Sequence, residues 1–190
     1  MNYIKILPFD LANGPGIRVS LFVSGCQFNC YNCFNKEAQD YNYGKPYTEE
    51  TTNKMLELVS KPHIAGLSIL GGDPLWQSEE DMDKLALLSF KIRDQLNKNV
   101  WIWSGFTWEQ LFCDPGATIE NVRYLYARRH LIRNCDVFID GRYKDDLRDL
   151  RLKWCGSSNQ RVIDVQKSLV DTNNIILYEN GGSNSPAPFL

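Results

Sequence analysis

The sequence lacks a surplus of charge of either sign. Its 190 residues carry 21 lysines and arginines against 23 aspartates and glutamates, which gives a formal net charge of −2. A general nucleic-acid-binding domain would be far more basic, so we expect no nucleic acid as a partner. Charged residues at 23% and aromatic residues at 12% are ordinary for a chain with a packed core. This composition excludes disorder along the whole chain.

Long hydrophobic runs are also missing. No apolar stretch approaches the ~20 residues that cross a bilayer, and the first residues lack the charged-then-apolar order of a signal peptide. We therefore expect a cytoplasmic protein with no membrane partner. The length suits one domain, which we assign to residues 1–179. Residues 180–190 are rich in glycine, serine, asparagine and proline, so we expect them to form a flexible C-terminal tail.

What the sequence does contain is an alternation of short β-branched segments with amphipathic ones. Strands are predicted at residues 18–23, 66–70, 100–103, 137–139, 161–165 and 175–177, and helices at 48–60, 78–96, from 107 onward and at 119–132. Such alternation indicates βαβ units and a mainly parallel sheet, in which binding sites lie at the carboxyl ends of the strands. The unusual residues follow those ends: cysteines, then Gly-Gly-Asp-Pro, Ser-Gly and Asp-Gly.

Three cysteines, Cys26, Cys30 and Cys33, lie within one short loop. In a chain expected to be cytoplasmic, such clustering is typical of metal binding, and thiolates select iron–sulfur clusters, zinc or copper(I). A structural zinc or a ferredoxin-type cluster needs four ligands. The fourth would have to come from His63, His130 or a scattered cysteine, none of which has a paired spacing. Three buried structural cysteines are a further alternative, and a [4Fe–4S] cluster with one iron open to an exogenous ligand is the interpretation we favour.

This spacing resembles that of the radical S-adenosylmethionine enzymes, in which the three-cysteine loop follows the first strand of a barrel. The resemblance implies a compact incomplete (β/α) barrel in which Cys26, Cys30 and Cys33 bind a [4Fe–4S] cluster. It also implies that the amino and carboxylate groups of S-adenosylmethionine chelate the open iron. The reduced cluster then cleaves the sulfonium to methionine and a 5′-deoxyadenosyl radical. Because the cofactor drives this chemistry, no residue is predicted to act as a general acid or base.

The Gly-Gly-Asp-Pro segment strengthens the resemblance. By itself it is compatible with an ordinary turn. Its glycines allow close approach of the backbone to a ligand, and its carboxylate can accept a hydrogen bond from an ammonium group. It is similar to the segment that binds the methionine amino group in that family. The cofactor-binding residues implied by the resemblance are Asn32, Cys33, Phe34, Gly71, Gly72, Asp73, Pro74 and Ser104.

Further segments resemble the activating proteins of anaerobic ribonucleoside-triphosphate reductase. They are Asn-Gly-Pro-Gly-Ile-Arg at residues 13–18, Trp-Ser-Gly-Phe at 103–106, Asp-Gly-Arg-Tyr at 140–143 and Gly-Ser-Ser-Asn-Gln-Arg at 156–161. We expect the last two segments to follow strand ends and to shape the mouth of the barrel. Two positions depart from the family pattern. Asn32 stands where many radical S-adenosylmethionine enzymes have an aromatic residue, and Cys155 stands where relatives commonly carry arginine.

The resemblance implies an activase that reductively cleaves S-adenosylmethionine at a [4Fe–4S] cluster. The product would be a glycyl radical on the large subunit of anaerobic ribonucleoside-triphosphate reductase, whose glycine loop is the substrate. An electron donor such as reduced flavodoxin would supply the electron. Two alternatives stay open. One is an activase of another glycyl-radical enzyme, of the pyruvate formate-lyase type, and the other is a non-catalytic metal-binding interaction protein whose fourth ligand comes from the chain.

Overall fold

A computed structural model describes residues 1–113, 121–171 and 174–179. The predicted tail at 180–190 and the start of the predicted helix at 119 lie outside these ranges. Within them, no helix has the length and apolar character needed to cross a membrane.

Seven strands form one sheet. They are β1 (Asn2–Asp10), β2 (Arg18–Val23), β3 (Lys45–Pro46), β4 (Gly66–Gly71), β5 (Asn99–Trp103), β6 (Val137–Asp140) and β7 (Arg161–Asp164). The order across the sheet is β3-β1-β2-β4-β5-β6-β7. The central strands β2, β4, β5 and β6 run parallel, whereas β1 and β7 are antiparallel to their neighbours. The prediction of an α/β fold with a mainly parallel sheet is confirmed, and the sheet is open rather than closed.

The helices begin where the sequence places capping residues. They are α1 (Glu49–Ser60), α2 (Glu79–Asp94), α3 (Trp108–Phe112), α4 (Val122–Arg133) and α5 (Val165–Val170). Thr48, Ser78 and Thr107 each accept a hydrogen bond from a backbone N–H of the first helical turn, which satisfies a donor that has no partner inside the helix. The predicted starts of α1, α2 and α3 are thereby confirmed.

Three strand assignments differ from the sequence expectation. The two-residue strand β3 was not predicted. No strand was predicted at β1, which contains Pro8. A proline cannot donate to the ladder, and Pro8 is accommodated because the β1–β2 register shifts between Leu7 and Asp10. The strand predicted at residues 175–177 is wrong, since only one isolated bridge forms there, between Leu177 and Ile163.

The two faces of the sheet have different neighbours. Alternate strand residues such as Leu21, Ile69 and Ile102 belong to the main core together with apolar residues of the helices. The opposite face carries a smaller cluster around Trp101 and Ile139. Because the central strands are parallel, the loops that follow them meet along one rim of this second face.

Arg18 is a charged residue inside the fold. Its side chain is fully buried, and its guanidinium donates to Ser68 Oγ, Asn99 Oδ1 and the Leu67 carbonyl at 2.6–2.7 Å. These acceptors are all neutral, so burial dominates and lowers the pKa of Arg18 to about 10. The residue joins the amino-terminal ends of three neighbouring strands, at the end of the sheet opposite the rim.

Candidate functional site

The cysteine loop, residues 26–33, begins where β2 ends. The Gly25 N–H donates to the Ala38 carbonyl at 2.8 Å, which ties the start of the loop to the segment that follows it. Asn29 and Asn32 have left-handed backbone conformations, with φ of 47° and 51°, which asparagine adopts more readily than most residues. Each directly precedes a cysteine. These two turns fold the loop back on itself, so that all three cysteines border the same cavity.

This cavity has a volume of about 460 Å³ and lies at the rim formed by the loops after the parallel strands. The candidate residues that line it are Cys26, Cys30, Cys33, Phe34, Gly71, Gly72, Asp73 and Ser104. Two other candidates are engaged elsewhere in the described structure. Asn32 is exposed and donates a hydrogen bond to Asp145 at 3.0 Å. Pro74 is buried at the start of the short 3₁₀ turn Pro74–Trp76.

The three thiols suit an iron–sulfur cluster. In the described part of the chain, no three or more His, Cys, Asp and Glu side chains are grouped so as to hold a single metal ion. A [4Fe–4S] cluster does not require such convergence, because each thiolate binds a different iron. Burial, and then the charge of Asp73, raise the pKa of Cys26 to about 12. This thiol therefore ionises at neutral pH only when a metal supplies compensating positive charge.

Asp73 connects the end of β4 to the end of β5. Its Oδ1 accepts from the Leu75 N–H and its Oδ2 from the Gly105 N–H, both at 2.8 Å, and the Ser104 hydroxyl lies 2.8 and 2.9 Å from the two oxygens. The residue is 1% exposed. Burial raises its pKa to about 6, although these hydrogen bonds oppose the shift. A carboxylate offers about four acceptor positions, so the three donors leave one position for a ligand.

The absence of a Cβ at Gly71 and Gly72 leaves space for neighbouring backbone atoms of the same chain. Gly71 has a φ of +111°, and a Cβ built on Gly72 would lie 2.5 Å from the Gly25 carbonyl oxygen and 2.6 Å from that of Ala38. The sequence led us to expect that the missing Cβ makes room for a ligand. This expectation is wrong for Gly72, because the backbone that enters the cysteine loop fills the space where its Cβ would lie. Both glycines also line the cavity.

The connection between β6 and β7 forms another wall of the cavity. Gln160 accepts from the Gly156 N–H at 2.8 Å and donates to the Gly141 carbonyl at 2.9 Å, which fastens residues 156–161 to residues 140–143. Residues 156–161 were expected to follow a strand end, but they precede β7. It reaches the same rim because β7 runs antiparallel to β6.

An ion-pair network near the rim was not foreseen from the sequence. The Arg161 guanidinium contacts the Asp140 carboxylate and lies 2.8 and 2.9 Å from the Glu109 carboxylate oxygens. Asp140 also accepts from the Trp108 N–H at 2.9 Å, so the network joins α3 to β6 and β7. Hydrogen bonding to Arg161 lowers the pKa of Glu109 to about 2. These partners are far apart in sequence and no local pattern marks them.

Cys155 lines the same cavity as the three clustered cysteines. It packs against the smaller apolar cluster around Trp101 and Ile139, as Trp103 and Trp154 do. Burial raises the pKa of its thiol to about 12, so it is a neutral group at physiological pH. The sequence pointed to this position only as a departure from the family pattern.

Comparison with known proteins identifies similar chains. Residues 12–163 match the family model described as a 4Fe-4S single cluster domain. The chain is 36% identical over 163 residues to a protein of Enterobacteria phage T4, covering 85% of this chain and 93% of that one. It is 35% identical to proteins of Salmonella typhi and Escherichia coli K12, covering 85% of this chain and 97% of each. All three bear the name anaerobic ribonucleoside-triphosphate reductase-activating protein.

Proposed function

The chain belongs to the family of anaerobic ribonucleoside-triphosphate reductase-activating proteins, and from this membership we propose that it is the activase of such a reductase. It uses a [4Fe–4S] cluster and S-adenosylmethionine to generate a glycyl radical on the reductase. The observation that carries the proposal is the meeting of three thiols, the Gly-Gly-Asp segment and the two late segments around one cavity.

Cys26, Cys30 and Cys33 are the proposed cluster ligands. When bound, the cluster supplies the electron that cleaves S-adenosylmethionine to methionine and a 5′-deoxyadenosyl radical. The chain contributes ligands, orientation and partial exclusion of water. The lining of the cavity agrees with these roles. It contains thiols and backbone groups, and the carboxylate of Asp73 already accepts hydrogen bonds from three protein donors.

The residues proposed to form the S-adenosylmethionine site are Asn32, Cys33, Phe34, Gly71, Gly72, Asp73, Pro74 and Ser104. Within this set the roles differ. The remaining acceptor position of Asp73 suits the methionine ammonium group, and the ring of Phe34, 57% exposed beside the cavity, suits contact with the adenosyl part. Asn32 and Pro74 act by holding the loop and the turn in place, since neither borders the cavity in the described structure.

We propose that the fold is an incomplete barrel of the radical S-adenosylmethionine type, formed by a single domain over residues 1–179. The open sheet supports this assignment. Hydrogen abstraction requires the glycine of the partner to come into near contact with the cosubstrate, and an open rim admits a loop of another protein. Tyr31 and Leu150, 78% and 77% exposed, supply apolar surface for the large subunit of the reductase on segments that carry site residues.

Reduced flavodoxin is the proposed electron donor, and the cytoplasm is the proposed compartment. All six cysteines are free thiols in the structure, which suits a reducing environment.

The proposal is tested with anaerobically reconstituted protein. We expect about four irons and four sulfides per chain, formation of 5′-deoxyadenosine on reduction, and a glycyl doublet in electron paramagnetic resonance when the cognate reductase is added. Cys30→Ala should lose the cluster. Cys113→Ala is the matched control, because Cys113 is exposed and lies outside the cavity.

Three outcomes would contradict the proposal. A reduced, cosubstrate-bound cluster that yields no doublet on the reductase would refute it. A doublet on pyruvate formate-lyase instead would favour the related activase. Bound metal without cleavage of S-adenosylmethionine, lost on substitution of a fourth cysteine, would favour a non-catalytic protein.

A further inference from the structure

The cysteine loop is held by a hydrogen-bond clamp from the opposite wall of the cavity. Asp145 accepts from Asn32 Nδ2 at 3.0 Å through one carboxylate oxygen and from the Tyr143 hydroxyl at 2.7 Å through the other. These two hydrogen bonds lower the pKa of Asp145, so the carboxylate is ionised at neutral pH. One side chain thus joins the cysteine loop to the segment that follows β6.

Ring contacts run beside this clamp. The rings of Phe34 and Tyr143 lie 5.1 Å apart, and the Arg148 guanidinium lies 5.2 Å from the Phe34 ring centre. Phe34 directly follows Cys33. Asn32 and Phe34 flank Cys33, and both therefore contact residues of the β6–β7 connection.

The other side of the clamp is anchored in the late Gly-Ser-Ser-Asn-Gln segment. The Lys144 N–H donates to Ser157 Oγ at 3.1 Å, and the Ser158 N–H donates to the Leu147 carbonyl at 2.9 Å. These two hydrogen bonds tie the short 3₁₀ turn that carries Asp145 to residues 156–161.

The backbone conformation of Asn32 explains why the loop needs such a support. Its φ of 51° lies in a region that costs free energy for a residue with a Cβ. With the side chain fixed by Asp145, this conformation is maintained and the direction of the next residue, Cys33, is set. Without it, the turn keeps the 3.3 Å hydrogen bond from the Cys33 N–H to the Cys30 carbonyl but loses the hydrogen bond of Asn32 to the opposite wall.

We propose that Asp145 is a positioning residue that orients Cys33 toward the cluster by holding Asn32. This inference rests on the proposed function only for the identity of the group that Cys33 binds, the cluster.

The test is hydrogen exchange of the cysteine loop in the full chain, measured with the reconstituted cluster and after its removal by a chelator. Asp145→Ala removes both carboxylate oxygens, so the hydrogen bond from Asn32 is lost. Loss of this hydrogen bond predicts about fivefold faster exchange of the loop in the cluster-free chain. Asp146→Ala is the matched control, because it removes the same side chain from the same turn and no hydrogen bond to the cysteine loop involves Asp146 among the described residues.

Two further observations separate the clamp from a general loss of structure. Asn32→Gly keeps the left-handed turn and removes the side chain, so combining it with Asp145→Ala should give no additional acceleration. In the loaded protein, Asp145→Ala should keep its iron while the g-values of the reduced cluster shift. Wild-type exchange rates in Asp145→Ala, equal acceleration in Asp146→Ala, or additive effects in the double variant would overturn the inference. A wild-type chain that binds no cluster would instead refute the proposed function, because the exchange result does not depend on iron.

Discussion

Gly72→Ala is the substitution that separates the two possible reasons for a glycine at this position. If glycine makes room for a ligand, alanine should weaken S-adenosylmethionine binding and spare the cluster. In the structure, however, the added methyl group meets the Gly25 carbonyl oxygen at 2.5 Å, the Ala38 carbonyl oxygen at 2.6 Å and the Gly25 nitrogen at 2.9 Å. All three are backbone atoms, so no side chain can rotate away. We therefore expect the start of the cysteine loop to move.

The size of the effect follows from these distances. Real Cβ atoms essentially never come closer than 3.0 Å to such neighbours, so the backbone must move by at least about 0.5 Å. Such overpacking costs about 1–3 kcal/mol. The displaced atoms also form the 2.8 Å hydrogen bond between Gly25 and Ala38, whose loss adds about 1 kcal/mol. We expect a total loss of about 2–4 kcal/mol in the free energy of unfolding.

The measurement combines urea unfolding of the cluster-free protein with iron analysis after reconstitution. Gly156→Ala is the control, because it adds a methyl group at the same cavity but its three nearest neighbours are side-chain atoms of Phe34 and Tyr143, at 3.2 Å or more. These rings can shift, so this variant should lose less than about 1 kcal/mol. A Gly72→Ala protein with wild-type stability and iron content, but reduced affinity for S-adenosylmethionine, would refute the argument.

Three other substitutions test separate features. Cys155→Ser should keep its four irons per chain by iron analysis, because three thiols already suit the cluster; loss of iron would make Cys155 a ligand. Glu109→Gln should change acid unfolding: Arg161 lowers the pKa of Glu109 from 4.5 to about 2, so stabilisation by this pair is present above pH 4.5 and is lost as pH falls toward 2. Acid unfolding monitored by circular dichroism should show that the variant loses less stability over this pH range than the wild type does. An unchanged profile would contradict the assignment. Arg18→Met should lose about 2–4 kcal/mol in urea unfolding, because buried acceptors such as the Leu67 carbonyl lose the Arg18 donor, and a loss below about 1 kcal/mol would show that they find other partners.

Much of the fold could be predicted because its signals are local. Helix starts at Thr48, Ser78 and Thr107 follow from capping chemistry, and the central strands follow from short β-branched runs. No strand was predicted over β1, and its Pro8 is compatible with one because the pairing with β2 is irregular at that point. The direction of β7 was equally hidden, since antiparallel pairing depends on a long connection without a crossover helix.

The site was predictable in its composition but less so in its contacts. The spacing of the cysteines and the strand-end position of Asp73 placed these residues at one rim. The donors that surround Asp73 come partly from β5, and Gly72 faces the backbone of the cysteine loop. Such relations join residues that are far apart in sequence, so no spacing rule reveals them. Asn32 illustrates the point, because its partner Asp145 is 113 residues away.

The arrangement explains why so many motif residues of this chain have no reactive group. Hydrogen-atom chemistry needs no acid or base from the protein, but it needs the reacting atoms held in near contact. Gly72 and Asp73 join β4 to the cysteine loop and to β5, while Gln160 joins the two late segments. Each strand end is thereby fastened to the next around the cavity. On this view the motifs specify a rigid mouth, and the residues that maintain its geometry are as necessary for radical transfer as the three thiols.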